Sequence, residues 1–314
     1  MKITLYGFAF LAIVASFGAA NVAAFSDQVV SVLHAGSLTP VFQTRLVPEL
    51  AKRGITVYAE GRGSVANGSM IRAGLKNPDL FISADDDVME RLLIGPDAPI
   101  RWYANFATSH LVIAYAPNSP FAERFREAAA GRARWYDVLS APGIKIGRTD
   151  PAVDPKGYRT IIALELAEGY YHEALRARIL GDDRNPAQTF TDEAILTRLD
   201  EGELDAAFLY SHEAMIRKLP IIELPPEINL GDAHFAARYR RASVTINGLE
   251  HVGEPIVFAL SIPTAAANSQ GAADILRFLI DGDGKKALTA SGLQVTPLAF
   301  HGDLHAVPAE LRPK

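Results

Sequence analysis

Short apolar and β-branched runs alternate with stretches of helical periodicity along this chain, the pattern of an α/β fold in which strands and helices take turns. The spacing predicts strands at 29–33, 55–59, 80–83, 111–115, 145–147, 206–210 and 255–260. Helical segments are expected at 40–52, from Ser64 toward Leu75, and at 121–129, 135–139, 158–175, 193–201, 272–279 and 285–291. The runs at 111–115 and 255–260 are long, strongly apolar and flank a central block. They predict a chain that crosses from one lobe to a second near 106–111 and returns near 250–256. Lobe 1 would then be discontinuous, 25–106 plus 254–314, with lobe 2 at 107–253; two consecutive domains split near 140 are the alternative.

The first residues change the picture of where the protein works. Lys2 precedes an apolar run to Phe17 and then the small residues Gly18, Ala19, Ala20, Ala23 and Ala24, the layout of a secretory signal peptide over 1–24, cut after Ala24 or Ala23. A retained anchor helix would need a longer unbroken apolar span. The expected location is therefore periplasmic or otherwise extracytoplasmic. Cysteine is absent, which excludes disulfides, thiol catalysis and thiolate metal sites. The remaining chain, in a sequence 49% hydrophobic, is long enough for two lobes with real cores. With 31 basic and 36 acidic residues and a net charge of −5, nothing steers a nucleic acid, and an anion site would have to work through local donors.

Such donors are expected at three turns. His34-Ala35-Gly36-Ser37-Leu38 follows the first strand and puts Ser37 where a helix can begin, with free amides and a hydroxyl converging. Gly61-Arg62-Gly63-Ser64 repeats the arrangement, with Ser64 expected to cap the next helix. In the third, Asp150-Pro151 to Gly157, Asp154 is expected to cap a helix whose first residue is Pro155, and the amides of Lys156 and Gly157 to face the same space. A fourth cluster has Asp192 or Glu193 opening a helix, and Tyr210 ending a strand, where open α/β sheets place ligands.

Together with Pro78-Asp79-Leu80, Ala84-Asp85, Tyr158-Arg159 and the run from Leu224 to Asp232, these segments make the chain resemble the periplasmic molybdate/tungstate-binding proteins of ABC transporters, in their archaeal-type branch. The resemblance implies a type II periplasmic-binding-protein fold: two α/β lobes, a two-segment hinge and a ligand cleft. It implies a binding protein rather than an enzyme, with no cofactor, a molybdate or tungstate ligand, an ABC permease as partner, and a monomeric state. It assigns oxyanion contacts to Ser37 and Ser64 from one lobe and to Asp154, its following turn and Tyr210 from the other. In that branch two carboxylates approach the metal centre; Asp154 matches one, and the second falls at Asp192, the first choice, or Glu193.

Carboxylates beside a dianion repel it by several kcal/mol in a low-dielectric cleft, on the order of what one charge pair is worth there. They are tolerated if they donate oxygen to the metal or are protonated. Sulfate and phosphate, whose small central atoms are saturated by four oxygens, cannot use the first route. Acids at 154 and 192 would thus favour molybdate or tungstate. Two other readings remain: the same fold binding sulfate, phosphate or a small carboxylate, and a hydrolase using Ser37 with His34, against which stands the lack of a Gly-x-Ser-x-Gly elbow.

Overall fold

The computed structural model describes residues 29–93, 95 and 97–312, so the expected signal peptide at 1–24 lies outside the described residues. Two sheets organise the chain. The first contains β1 (Val29–Ala35), β2 (Thr56–Arg62), β3 (Leu80–Ser83), β4 (Trp102–Thr108), β11 (Val257–Ser261) and β12 (Gln294–Gly302), in the order β12-β4-β11-β3-β1-β2. The second contains β5 (Leu111–Tyr115), β6 (Ile146–Gly147), β7 (Ala206–Tyr210) and β8 (Ile221–Glu223), in the order β6-β7-β5-β8. A separate hairpin pairs β9 (Ser243–Ile246) with β10 (Leu249–Val252).

Within the first sheet β1 runs parallel to β2 and β3, which brings the carboxyl ends of all three strands to one edge. Strands β11 and β12 run antiparallel to their neighbours. The chain leaves this sheet after β4 through Ser109 and His110 and re-enters it after β10. The two crossings touch, since the Ser109 amide donates to the Ile256 carbonyl at 3.4 Å.

Strands β3, β5, β7 and β11 are covered on both faces, which is why they read as continuous apolar runs rather than alternating ones. One large core joins residues such as Val32, Ile82 and Phe106 to Ile113, Phe208 and Ile162. Smaller cores close the opposite faces, around Phe81 and Met89 in one lobe and around Val112 and Leu199 in the other. Each fully buried Leu, Ile or Phe adds roughly 1.5–3 kcal/mol, enough in sum to hold two lobes without disulfides.

Several boundaries differ from the pattern for local reasons. The helix expected to run toward Leu75 spans Ser64–Arg72 and stops just before Gly74, whose φ of 66° ends it. The run at 40–52 is helical but widens to a π-type stretch at Phe42–Leu46. Pro48, which has no N–H to return to the preceding turn, lies two residues beyond that stretch. The helix expected at 158–175 begins earlier, as Pro155–Tyr171, and ends at His172 in a left-handed conformation.

Candidate functional site

Three strand ends of lobe 1 form one wall of the cleft. Strand β1 runs directly into a tight turn, Gly36–Leu38, and Ser37 sits inside this turn rather than capping it. Its hydroxyl is buried and has no hydrogen-bond partner among the described residues. Strand β2 extends through Arg62, so Gly61 and Arg62 belong to the strand and not to the expected turn. The cap of the next helix is Gly63; Ser64 is its first residue and Ser64 Oγ accepts the Ala84 amide at 3.0 Å. The serine therefore ties the end of β3 to that of β2 instead of capping. Asn67 completes the knot by donating to the His34 carbonyl at 2.9 Å.

His34 offers no catalytic arrangement with Ser37. Its ring stacks on Phe42 at 4.3 Å and Nδ1 bonds the Ala35 carbonyl at 2.8 Å. Burial holds its pKa down at about 4, so the ring is neutral.

The opposite wall comes from lobe 2. Asp154 caps the helix Pro155–Tyr171, its Oδ1 accepting the Lys156 amide and the Thr149 hydroxyl, both at 2.9 Å. The Gly157 amide donates to the Asp154 carbonyl at 3.1 Å. The two amides expected to face an anion are thus occupied by Asp154 itself. Gly157 is needed for packing: a β-carbon there would stand 2.5 Å from the Pro151 nitrogen.

Lys156 enters the site through its side chain instead. Its fully buried ammonium bonds Asp192 Oδ1 at 2.5 Å and Glu213 at 2.7 and 2.8 Å. Asp192 is the first residue of the helix Asp192–Asp200, capped by Thr191, whose Oγ1 accepts the Ala194 amide at 3.3 Å. Glu193 is exposed and accepts a bond from Thr39 at 3.1 Å. The structure therefore brings Asp192, and not Glu193, into the buried cluster. Tyr210 ends β7 with its hydroxyl accepting from Arg159 at 2.9 Å, which leaves the phenolic proton to give.

The walls meet. The Ala66 amide donates to the Val153 carbonyl at 3.1 Å, His212 bonds the Ser37 carbonyl at 3.2 Å, and Arg159 reaches the Ala84 carbonyl and Asp85. Two glycines permit this approach. A β-carbon on Gly36 would stand 2.2 Å from Asp192 Oδ2, and one on Gly63 2.3 Å from the Val153 carbonyl oxygen. Beside the junction lies a cavity of about 510 Å³ bounded by Gly61, Gly63 and Ala66 on one side and by Thr149, Asp154 and Asp192 on the other.

Burial dominates the electrostatics here. Burial and then the neighbouring Asp192 charge push the Asp154 carboxyl up to about 7; burial also pushes Glu213 up, against the Lys156 ammonium, which bonds both of its oxygens and keeps it ionised. Lys156 is raised despite its burial, because Asp192, Glu213 and Asp154 hold it charged. Glu213, Arg159, Tyr158, Asp85 and His212 were not singled out from the sequence as site residues. The signal was a charged pair, Lys156 and Arg159, inside an otherwise buried helix, which demands buried partners.

The pattern that defines bacterial extracellular solute-binding proteins matches residues 30–294, and the chain belongs to that family. An uncharacterized solute-binding protein of Petrotoga mobilis is 33% identical over 297 residues, 92% of this chain and 90% of its own. A Haloferax volcanii protein named as a candidate ABC transporter molybdenum-binding protein is 37% identical over 76% of this chain and 75% of its own. A molybdate/tungstate-binding protein of Pyrococcus abyssi is 28% identical over 90% of this chain and 88% of its own. Among solved structures, the periplasmic molybdate-binding protein of Azotobacter vinelandii matches with a TM-score of 0.53 at 16% identity, covering 85% of this chain and 100% of its own. The periplasmic binding protein AfuA of Actinobacillus pleuropneumoniae, with fructose-6-phosphate bound, matches at 0.54 and 15%, covering 85% and 84%. These likenesses define the fold as that of type II periplasmic binding proteins: two α/β lobes around a ligand cleft.

Proposed function

We propose that this chain is the extracytoplasmic receptor of an ABC transporter, capturing molybdate or tungstate between its lobes and handing it to a membrane permease without chemical turnover. The observation that carries the reading is the unpartnered, buried Ser37 hydroxyl on a turn that packs against Asp192 across the lobe junction. A buried hydroxyl with nothing to bond costs about 1–3 kcal/mol, a cost an oxyanion oxygen would remove. Ser64 and Tyr210 supply further neutral donors. Asp154 and Asp192 supply carboxylate oxygens that a molybdenum or tungsten centre can accept as additional ligands and a sulfur or phosphorus centre cannot.

The names of the Haloferax and Pyrococcus relatives support the same ligand class. An export signal at 1–24 fits a receptor that works outside the cytoplasm, and no helix among the described residues is long and apolar enough to cross a membrane. The ligand joins both walls, so it stabilises the closed state and with it the surface a permease would read.

Thermal denaturation of the purified mature protein tests the reading. Ligand at a hundred times its Kd stabilises by about 2.7 kcal/mol. Micromolar molybdate or tungstate should raise the melting temperature while millimolar sulfate or phosphate does not. Stabilisation by sulfate alone would assign the cleft to another anion.

A further inference from the structure

Lys156 presents a buried ammonium directly behind Asp192 of the cleft, yet it has nothing left to give. An ammonium carries three N–H donors. Three carboxylate oxygens receive them: Asp192 Oδ1, Glu213 Oε1 and Glu213 Oε2, at 2.5, 2.7 and 2.8 Å. Glu213 is itself fixed, because Oε2 also accepts the Tyr210 amide at 2.9 Å and its side chain is fully buried. The neighbouring guanidinium of Arg159 is likewise taken by Asp85, the Ala84 carbonyl and Tyr210.

We propose that Glu213 is a specificity-determining residue of this cleft: it holds two of the three Lys156 donors and so denies a free counter-charge to dianions such as sulfate. The inference rests on the metal-oxyanion reading above and deepens it. A sulfate gains nothing from the carboxylates and would need the ammonium. A molybdate or tungstate draws on carboxylate oxygen and does not. Glu213 also keeps Lys156 compensated when Asp192 turns toward a bound metal, so the same residue serves both discriminations.

Isothermal titration of sodium tungstate, molybdate and sulfate into the full mature chain tests this. In Glu213→Gln at least one Lys156 N–H is released, and sulfate affinity relative to tungstate rises about tenfold or more, the value of one charge-assisted hydrogen bond. In the double variant Lys156→Gln/Glu213→Gln the gain disappears, because the released ammonium is gone. An unchanged ratio in Glu213→Gln, or a gain that survives in the double variant, overturns the proposal. Should Glu213→Gln fail to fold, Glu213→Asp keeps the charge and draws the carboxylate back by one methylene. It should move the ratio in the same direction, and no shift there overturns the proposal equally. A wild-type protein that ignores tungstate and molybdate altogether refutes the metal-oxyanion reading itself, an outcome separate from an unchanged ratio in a protein that binds them.

Discussion

The two walls of the cleft are built from different chemistry. Lobe 1 brings hydroxyls, amides and small residues at three parallel strand ends, and its one buried acid there, Asp85, is taken by Tyr158 and Arg159 of the other lobe. Lobe 2 brings Asp154, Lys156, Asp192 and Glu213, four charged residues packed into one buried cluster. A neutral wall suits any tetrahedral oxyanion, since hydrogen-bond donors do not distinguish sulfur from tungsten. On the proposed reading, discrimination falls to the charged wall, and affinity to how closely the two can meet.

Closure is where the largest effect is expected. Gly63 has φ −53° and ψ 132°, which alanine adopts freely, so Gly63→Ala leaves lobe 1 intact. Its methyl would press on the Val153 carbonyl across the junction. Overpacking of about 3 kcal/mol against the closed state lowers affinity about a hundredfold. Titration calorimetry should show that loss with the melting temperature of the unliganded protein little changed; unaltered affinity would mean the walls do not meet as described.

Asp154 separates selectivity from stability. Asp154→Ser keeps a capping oxygen for the helix Pro155–Tyr171 but removes the carboxylate. Tungstate binding should fall about tenfold to a hundredfold, a metal-ligand-sized effect, with sulfate no weaker than before. Equal weakening of every anion would reduce Asp154 to a cap.

The charged wall also leaves a mark on the ligand-free protein. With its pKa pushed up to about 7, Asp154 holds a proton in the fold that the unfolded chain has released, so it lowers stability as pH rises from the ordinary carboxylate range toward 7. His34 and His212, held neutral by burial down to about 4 and about 3, act in the opposite sense up to their ordinary 6.5. The carboxyl and the two imidazoles oppose each other below pH 6.5. Above it only Asp154 acts, and stability should fall between about pH 6.5 and 8 by an amount on the order of 1 kcal/mol, read from urea midpoints. A rise across that window would contradict the assignment.

The neutral wall should give the smallest change. Ser37→Ala removes one hydrogen bond to ligand, about 0.5–1.5 kcal/mol or three- to tenfold in Kd. Because that hydroxyl is buried without a partner, the unliganded protein should melt at the same temperature or higher. Destabilisation would mean the hydroxyl already has a structural role.

What could be read from the sequence divides along the same line. The strand ends of lobe 1 and the strands at 111–115 and 206–210 are written in contiguous apolar runs, and the Asp154-Pro155 cap in two adjacent residues. The cluster of lobe 2 is not local: Lys156 meets Asp192 and Glu213 at separations of 36 and 57 residues, and no periodicity encodes that. Strands β4, β8, β9, β10 and β12 escaped as well, β8 and β9 because three and four residues are too few to set a pattern. Asn105 interrupts the apolar run of β4, while β10 lies mostly exposed, β12 has no buried residue, and both lack a clean alternation. Ser37 lies where a helical turn begins, as the pattern expects, whereas Ser64 does not cap: Gly63 caps and Ser64 binds the end of β3.

The central claim is that carboxylates of lobe 2 reach the metal of a bound oxyanion. X-ray absorption at the tungsten edge of the tungstate-loaded protein measures it directly. The account predicts more than four oxygen neighbours, the added ones at longer distances, and one neighbour fewer in Asp154→Ser. A tetrahedral centre in the wild-type protein, unchanged by that substitution, would contradict it.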